Sequence, residues 1–213
     1  MTRMRIMGLA LVAVFAMSAL AVSSASAKTA KTVLTLKTAG KGALTAGAAL
    51  TASSSDLVFT TAAGNLECTS NILSGTLANN GSTKDKGTIT SSNSTGTEPP
   101  TGKACKTTTP FGPAEIISSG FNWPVEFTTK GTSTVKGNKK VAFKAIFLLA
   151  ESASCTYEAS KVASTFKIGG PVELTTSAQP FKINKKTSNA ACPASGTLTG
   201  HALVTSGGET VES

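Results

Sequence analysis

The sequence contains little charge, few aromatic residues and almost none of the residue types that carry out acid–base chemistry. Charged residues make up 15% of its 213 residues, aromatic residues 5%, and there is one histidine. Hydrophobic residues make up 40%, which is enough to form a core and excludes general disorder. A chain of this length forms one domain or at most two.

No motif for a nucleotide, a calcium ion or a catalytic triad is present. The sequence lacks a P-loop, a dinucleotide glycine fingerprint, a D-x-D-x-D-G calcium loop and a G-x-S-x-G nucleophile turn. The only aspartates are Asp56 and Asp85, so we interpret His201 as a packed or exposed side chain of a late strand. We therefore expect no cofactor, no metal ion, no catalytic residue and no enzymatic activity.

The N-terminus has the three parts of a secretory signal peptide. Arg3 and Arg5 give it a positive start, an apolar run extends from about Ile6 to Val22, and Ala25-Ser26-Ala27 fits a cleavage site. A membrane anchor is the alternative, because the run approaches the roughly 20 residues that a bilayer requires. We expect residues 1–27 to be removed, which leaves a secreted, extracellular or cell-surface protein without a transmembrane anchor.

Cleavage at that point removes both arginines of the chain. The remainder has 18 lysines and 11 acidic residues, a net charge of +7. Nucleic-acid recognition prefers the planar arginine fork, which binds phosphate and guanine through two bonds, so we expect no nucleic-acid partner. The lysines are interpreted as a solvated surface, with attraction to anionic cell-envelope polymers as the alternative.

Four cysteines follow the predicted signal peptide and indicate two disulfide bonds. They are Cys68, Cys105, Cys155 and Cys192, and an even number in an oxidising compartment is typical of a disulfide framework. The first two and the last two are each separated by 37 positions, which favours pairing within each half of the chain. Zinc sites use closely spaced cysteine pairs, and redox sites use C-x-x-C, neither of which occurs here.

The hydrophobic pattern has a period of two and predicts an all-β protein. Threonine and serine together account for 58 of the 213 residues, which favours strands and turns over long helices. Short apolar segments recur between turn residues, so we expect an antiparallel β-sandwich or a partly open barrel. The predicted strands are Thr32 to Lys37, Asp56 to Thr61, Asn71 to Leu77, Gly87 to Ser91, Glu115 to Ser118, Val125 to Thr129, Val141 to Leu149, Cys155 to Ala159, Val162 to Ile168, Val172 to Thr176, Pro180 to Ile183 and Thr197 to Thr205.

Two segments depart from this pattern. Residues 28–55 are rich in small side chains and are predicted to form an N-terminal arm or an edge strand that precedes a β-rich domain of residues 56–213. Residues 91–113 contain several prolines and glycines that a central strand does not tolerate. We interpret this second segment as a long surface loop, where the domain could divide into two subdomains and where a binding function would be expected.

Three aromatic residues are candidates for a binding surface. Phe111, Phe121 and Trp123 lie near prolines, whereas the other phenylalanines alternate as core residues do. Exposed aromatic rings would form stacking platforms for a ligand. The alternative is that Trp123 starts a strand and covers the edge of the core.

Function is expected to be non-enzymatic: a binding or structural module of the cell envelope or extracellular space, with an unidentified ligand. The alternative is a secreted polysaccharide hydrolase, which needs two carboxylates about 5 to 10 Å apart. The available glutamates are Glu115, Glu126, Glu151, Glu158 and Glu173, and their spacing selects no pair.

The segment from Cys155-Thr156-Tyr157 to Cys192-Pro193 resembles a numerous group of small secreted, four-cysteine, β-rich actinobacterial proteins of unassigned function. Cys68-Thr69-Ser70 and Trp123-Pro124-Val125 are similar to segments found upstream in that group. The resemblance covers roughly residues 57–204. It implies export, two disulfide bonds and β structure, and it implies no activity.

We predict that the exported protein begins at Lys28. Ala27→Phe should slow cleavage because the position before the cut requires a small residue, whereas Ser26→Phe should not. N-terminal sequencing and the intact mass of protein from the culture medium measure both variants. Recovery of the chain with residues 1–27 still attached would contradict the prediction.

Overall fold

In the computed structural model, residues 33–37, 42–79, 83–149 and 153–213 are described. The predicted signal peptide and Glu151 lie outside these residues. Thr32–Ser213 form one compact unit, which does not divide in the 91–113 segment. The described part contains no helix and fourteen strands: β1 (Thr35–Leu36), β2 (Ala49–Ser54), β3 (Val58–Thr61), β4 (Gly64–Glu67), β5 (Ser70–Asn79), β6 (Lys84–Thr95), β7 (Lys106–Thr107), β8 (Ala114–Ser119), β9 (Trp123–Thr128), β10 (Thr132–Phe147), β11 (Ser154–Thr165), β12 (Glu173–Ile183), β13 (Ser195–Ser206) and β14 (Glu209–Glu212).

Eight of the strands form a closed antiparallel barrel, so the predicted all-β antiparallel fold is confirmed. Their order is β12, β11, β10, β8, β6, β5, β2 and β13, and β13 pairs back onto β12. Outside this ring, β3, β4 and β7 extend the sheet from β13, and β9 pairs with both β6 and β10. Closure pairs the backbone groups that a free sheet edge would expose.

The long strand β10 shows how the alternating pattern determines the barrel wall. It pairs with β11 along one edge and with β8 and β9 along the other. Val141, Ala145 and Phe147 are buried, as the alternation predicts. Leu149 was expected on the same face, but it is 71% exposed because the strand ends at Phe147. Ile168 is likewise 52% exposed beyond the end of β11.

Several of the predicted strands have different bounds. The predicted segments 155–159 and 162–168 fall on the single strand β11, which ends at Thr165, and 172–176 and 180–183 fall on β12, which begins at Glu173. β12 contains a register shift between Thr176 and Gln179, where Ala178 has a positive φ of 44°. This irregularity separates the two alternating runs in sequence without ending the strand.

The expectation that residues 28–55 form an arm or an edge strand is wrong for β2. This strand pairs with β5 along one side and with β13 along the other, so both of its edges are covered. Leu34, Leu44 and Leu50 from the same segment are buried in the core. The small side chains of this segment therefore belong to a strand that is paired along both edges.

The segment 91–113 is also more ordered than a long surface loop. Residues 91–95 belong to β6, and β7 pairs with β4. Glu98 forms a bridge with Ala104, and Cys105 forms one with Ala114. Ala104 and Cys105 are fully buried, so this part of the segment is anchored in the core.

The predicted disulfide pairing is confirmed. Cys68 is bonded to Cys105 at 2.03 Å and Cys155 to Cys192 at 2.07 Å. The first bond joins the residue after β4 to the residue before β7, and the second joins β11 to the connection between β12 and β13. Both bonds therefore link segments that lie far apart in sequence.

An aromatic cluster in the core joins β3 to β10, β11 and β12. The ring of Phe59 lies 4.9 Å from that of Phe143, 4.8 Å from that of Tyr157 and 5.8 Å from that of Phe181. Burial raises the pKa of Tyr157 to about 12. Because β3 lies outside the ring of eight strands, Phe59 joins the β3–β4 hairpin to the barrel core.

We predict that Gly196→Ala destabilises the fold by about 1 to 3 kcal/mol, the usual cost of overpacking. A methyl group at Gly196 would lie 2.3 Å from Cζ of Phe59. Gly170→Ala is the control, since no atom lies within 4 Å of a Cβ at that position. Urea unfolding of both variants measures the difference, and equal stability would contradict the close contact.

Candidate functional site

A basic groove lies on the barrel where β8, β10, β11 and β12 are adjacent. Lys140, Lys185 and Lys186 line it together with Ser119, Gly120, Ala142, Glu158, Ile183 and Asn184. All three lysines are exposed. Lys140 comes from β10, whereas Lys185 and Lys186 come from the turn after β12, so strand pairing brings them together.

Glu158 organises the groove by binding residues from two other elements. One carboxylate oxygen accepts a bond from Nζ of Lys140 at 2.5 Å, and the other accepts one from Nδ2 of Asn184 at 2.6 Å. The Lys140 bond is the main reason that the pKa of Glu158 is lowered, against the opposing effect of its partial burial. Glu158 thus stays ionised and fixes the base of the turn that carries Lys185 and Lys186.

The groove belongs to a segment with a larger excess of positive charge. Residues 130–186, which include β10, β11 and β12, contain ten lysines and three glutamates. The rest of the chain after residue 27 contains eight lysines and eight acidic residues. The whole excess of positive charge therefore lies in this segment, which we call the basic wall.

The opposite side of the barrel has no comparable charge. β5, β2 and β13 contain no lysine, aspartate or glutamate. Strand order places β5 across the ring from β11, the middle strand of the basic wall. All described lysine side chains of the basic wall are exposed except that of Lys144, which is half-buried.

The single histidine forms a surface ion pair that its sequence context does not indicate. Nδ1 of His201 lies 2.7 Å from Oδ2 of Asp56, and the backbone N–H of His201 donates to Oδ1 at 2.9 Å. Asp56 lies between β2 and β3, which pair with β13 on either side of His201. The neighbouring Gly200 permits this approach, since a Cβ there would lie 2.6 Å from the backbone oxygen of Asp56.

This pair does not form a catalytic triad with the nearest hydroxyl group. Ser54 donates its hydroxyl bond to Asp56 at 2.9 Å and not to His201. A triad needs a serine bonded to histidine, with aspartate on the far side of the imidazole. The pair is therefore a surface contact that fixes the β2–β3 connection against β13.

The predicted aromatic residues are distributed between two places. Trp123 is only 3% exposed, and its ring lies 5.0 Å from the half-buried Phe121. Phe111 packs against Phe147 at 5.2 Å. Trp123 thus belongs to the core at the start of β9, and a role of Phe111, Phe121 and Trp123 in ligand binding stays a prediction.

The glutamates proposed for the hydrolase alternative occupy separate elements. Glu115 lies on β8 and Glu173 begins β12, while Glu126 is bonded to Lys84 at 2.8 Å. The Lys84 bond lowers the pKa of Glu126, and Lys140 lowers that of Glu158. A general acid for glycoside hydrolysis needs a raised pKa, which is the opposite shift.

Comparison with protein-family models, with curated proteins and with solved structures found no match to this chain. Within its described ranges, the structure has no helix that is long and apolar enough to span a membrane. The two disulfide bonds are consistent with an extracellular protein.

We predict that the pKa of His201 lies above 6.5, mainly because of its hydrogen bond to Asp56. The charge on His201 stabilises the fold below pH 6.5, and that contribution is lost as the pH rises through the raised pKa. The pKa of Asp56 is lowered from 3.8, so its contribution is present above pH 3.8 and is lost as the pH falls through the lowered value.

Proton NMR measures this directly, because the chain has a single histidine. Asp56→Asn should shift the titration midpoint of His201 back toward 6.5. Glu173→Gln is the control and should shift it less, since Glu173 is the smallest of the causes that raise it. Identical midpoints in the wild type and in Asp56→Asn would contradict the pairing.

Proposed function

We propose that this chain is an exported, non-enzymatic binding protein that attaches to anionic polymers of the cell envelope through its basic wall. The proposal combines the secretory signal in residues 1–27 with the charge distribution of the barrel. Two disulfide bonds support an oxidising location outside the cytoplasm.

The separation of charge is the observation that carries the proposal. If the lysines only kept the protein soluble, their excess would be spread over all the strands. Instead, the excess belongs to three adjacent strands and their connections, whereas β5, which lies across the ring from β11, and its neighbours β2 and β13 on one side carry no lysine or acidic residue. A surface with one sign of charge attracts a partner of the opposite sign and orients the approaching protein.

The chemistry of the basic wall favours an extended polymer over a single small anion. Lysine presents a flexible, strongly hydrated point charge, whereas a specific phosphate site uses the rigid arginine fork. Apart from Arg3 and Arg5 in the predicted signal, the chain has no arginine. Many exposed lysines acting together suit a polymer that carries one phosphate or carboxylate in each repeating unit.

We predict that the mature protein binds polyphosphate and that salt weakens this binding, because exposed charges are screened. Replacing Lys140, Lys185 and Lys186 together with glutamine should weaken binding by about tenfold or more, at roughly 0.5 to 1 kcal/mol for each lysine. Isothermal titration at low and at physiological salt measures both effects.

The matched control replaces Lys86, Lys103 and Lys106 with glutamine. These exposed lysines lie outside the basic wall, so the control removes the same net charge and should change the affinity by less than about threefold. Equal losses in the two triple variants would show that only the net charge matters. Absence of binding by the wild type at low salt would contradict the proposed function.

A further inference from the structure

A cavity of about 150 Å³ lies inside the barrel, next to the aromatic cluster. Its lining includes Phe59, Phe143 and Phe181 from three elements, with Leu73 and Leu198 from β5 and β13. An eight-stranded barrel has an interior that side chains fill completely or that holds one small ligand. Here the side chains leave part of it empty.

The cavity exists because small residues occupy inward positions on two neighbouring strands. Ser92 and Ser94 of β6 and Ser118 of β8 all line it, where larger side chains would fill the space. Their neighbours Ser91, Asn93 and Ser119 are exposed on the outer face, as the alternation of a strand requires. The three serines therefore define one side of the cavity.

Access to the cavity is explained by weak pairing between the same two strands. β6 pairs with β9 from Lys84 to Ile89, but with β8 it forms a single register pair, Ser94 with Ile116. Between these points, the hydroxyl of Ser118 donates to that of Ser92 at 3.1 Å. A single side-chain hydrogen bond thus joins two half-exposed serines at this gap in the strand pairing, which we call the slit, and such a bond contributes only about 1 kcal/mol.

The lining determines which molecules the cavity would accept. It contains no lysine, histidine, aspartate or glutamate, and its polar groups are the side chains of Asn71 and the three serines and the indole N–H of Trp123. A charged ligand would lose its hydration without gaining an opposite charge, which is strongly unfavourable. Cavities of about this volume with an apolar lining bind molecules of the size of benzene.

We infer that the barrel interior is a binding site for one small, uncharged and mainly apolar ring compound, which enters through the slit between β6 and β8. The cavity shares strands with the basic wall, but no lysine contributes to its lining, so replacing the lysines leaves the lining unchanged. The only tryptophan of the chain, Trp123, lines the cavity and gives a direct signal for its occupancy.

The test titrates the oxidised full barrel with toluene and with benzoate while recording tryptophan fluorescence. Toluene should produce a saturable change in the emission of Trp123, and benzoate, which has a similar shape and a negative charge, should bind at least about tenfold more weakly. We expect the same saturable toluene signal in the triple lysine variant. The toluene result is therefore independent of whether the proposed polymer binding is confirmed.

Two matched pairs of variants locate the site. Ser92→Phe fills the cavity and should weaken toluene binding by at least about tenfold, whereas Ser91→Phe places the same ring on the outer face and should not. If Ser92→Phe does not fold, Ser94→Leu is compared with Asn93→Leu in the same way. The inference is overturned if toluene gives no saturable signal, if benzoate binds equally well, or if the inward and outward variants behave alike.

Discussion

The pairing of β12 with β13 is the contact on which the rest of the structure depends. It runs from Glu173 opposite Leu203 to Lys182 opposite Ser195, and it converts a chain of eight strands into a ring. Without it, β12 and β13 would each expose an unpaired edge, and the inner face of the sheet would open to water. Closure also creates the barrel interior, so both the aromatic cluster and the cavity exist because these two strands meet.

Closure gives the two faces of the same strands different surroundings. Outward positions of β10, β11 and β12 carry lysines, while inward positions such as Val141, Cys155 and Phe181 form the core. A period of two allows charge and apolar packing to be set independently on one strand. The basic wall and the cavity are thus neighbours in the chain but chemically distinct, one lined by lysines and the other mainly by apolar side chains.

The local pattern predicted much of the fold, because alternation is visible within a single strand. The alternating face of β10 and both disulfide pairs followed from spacing. The position of β2 between two other strands could not be predicted, because its short side chains resemble those of an edge strand. Its pairing with β13 cannot be recognised from the residues of β2 alone. The contact between Asp56 and His201 spans 145 positions and likewise depends on the pairing of β3 and β2 with the parts of β13 before and after His201. The excess of lysine in residues 130–186 is visible in the sequence, but the strand order was needed to show that β10, β11 and β12 lie side by side in the barrel.

The most direct test of this account is the set of backbone proton contacts between β12 and β13 in NMR spectra of the oxidised mature protein. A closed barrel predicts close Hα–Hα contacts across the non-hydrogen-bonded pairs of this ladder, comparable with those between β10 and β11. Contacts within β10–β11 but none between β12 and β13 would show an open sheet, and both the cavity and the opposition of charged and uncharged walls would then be lost.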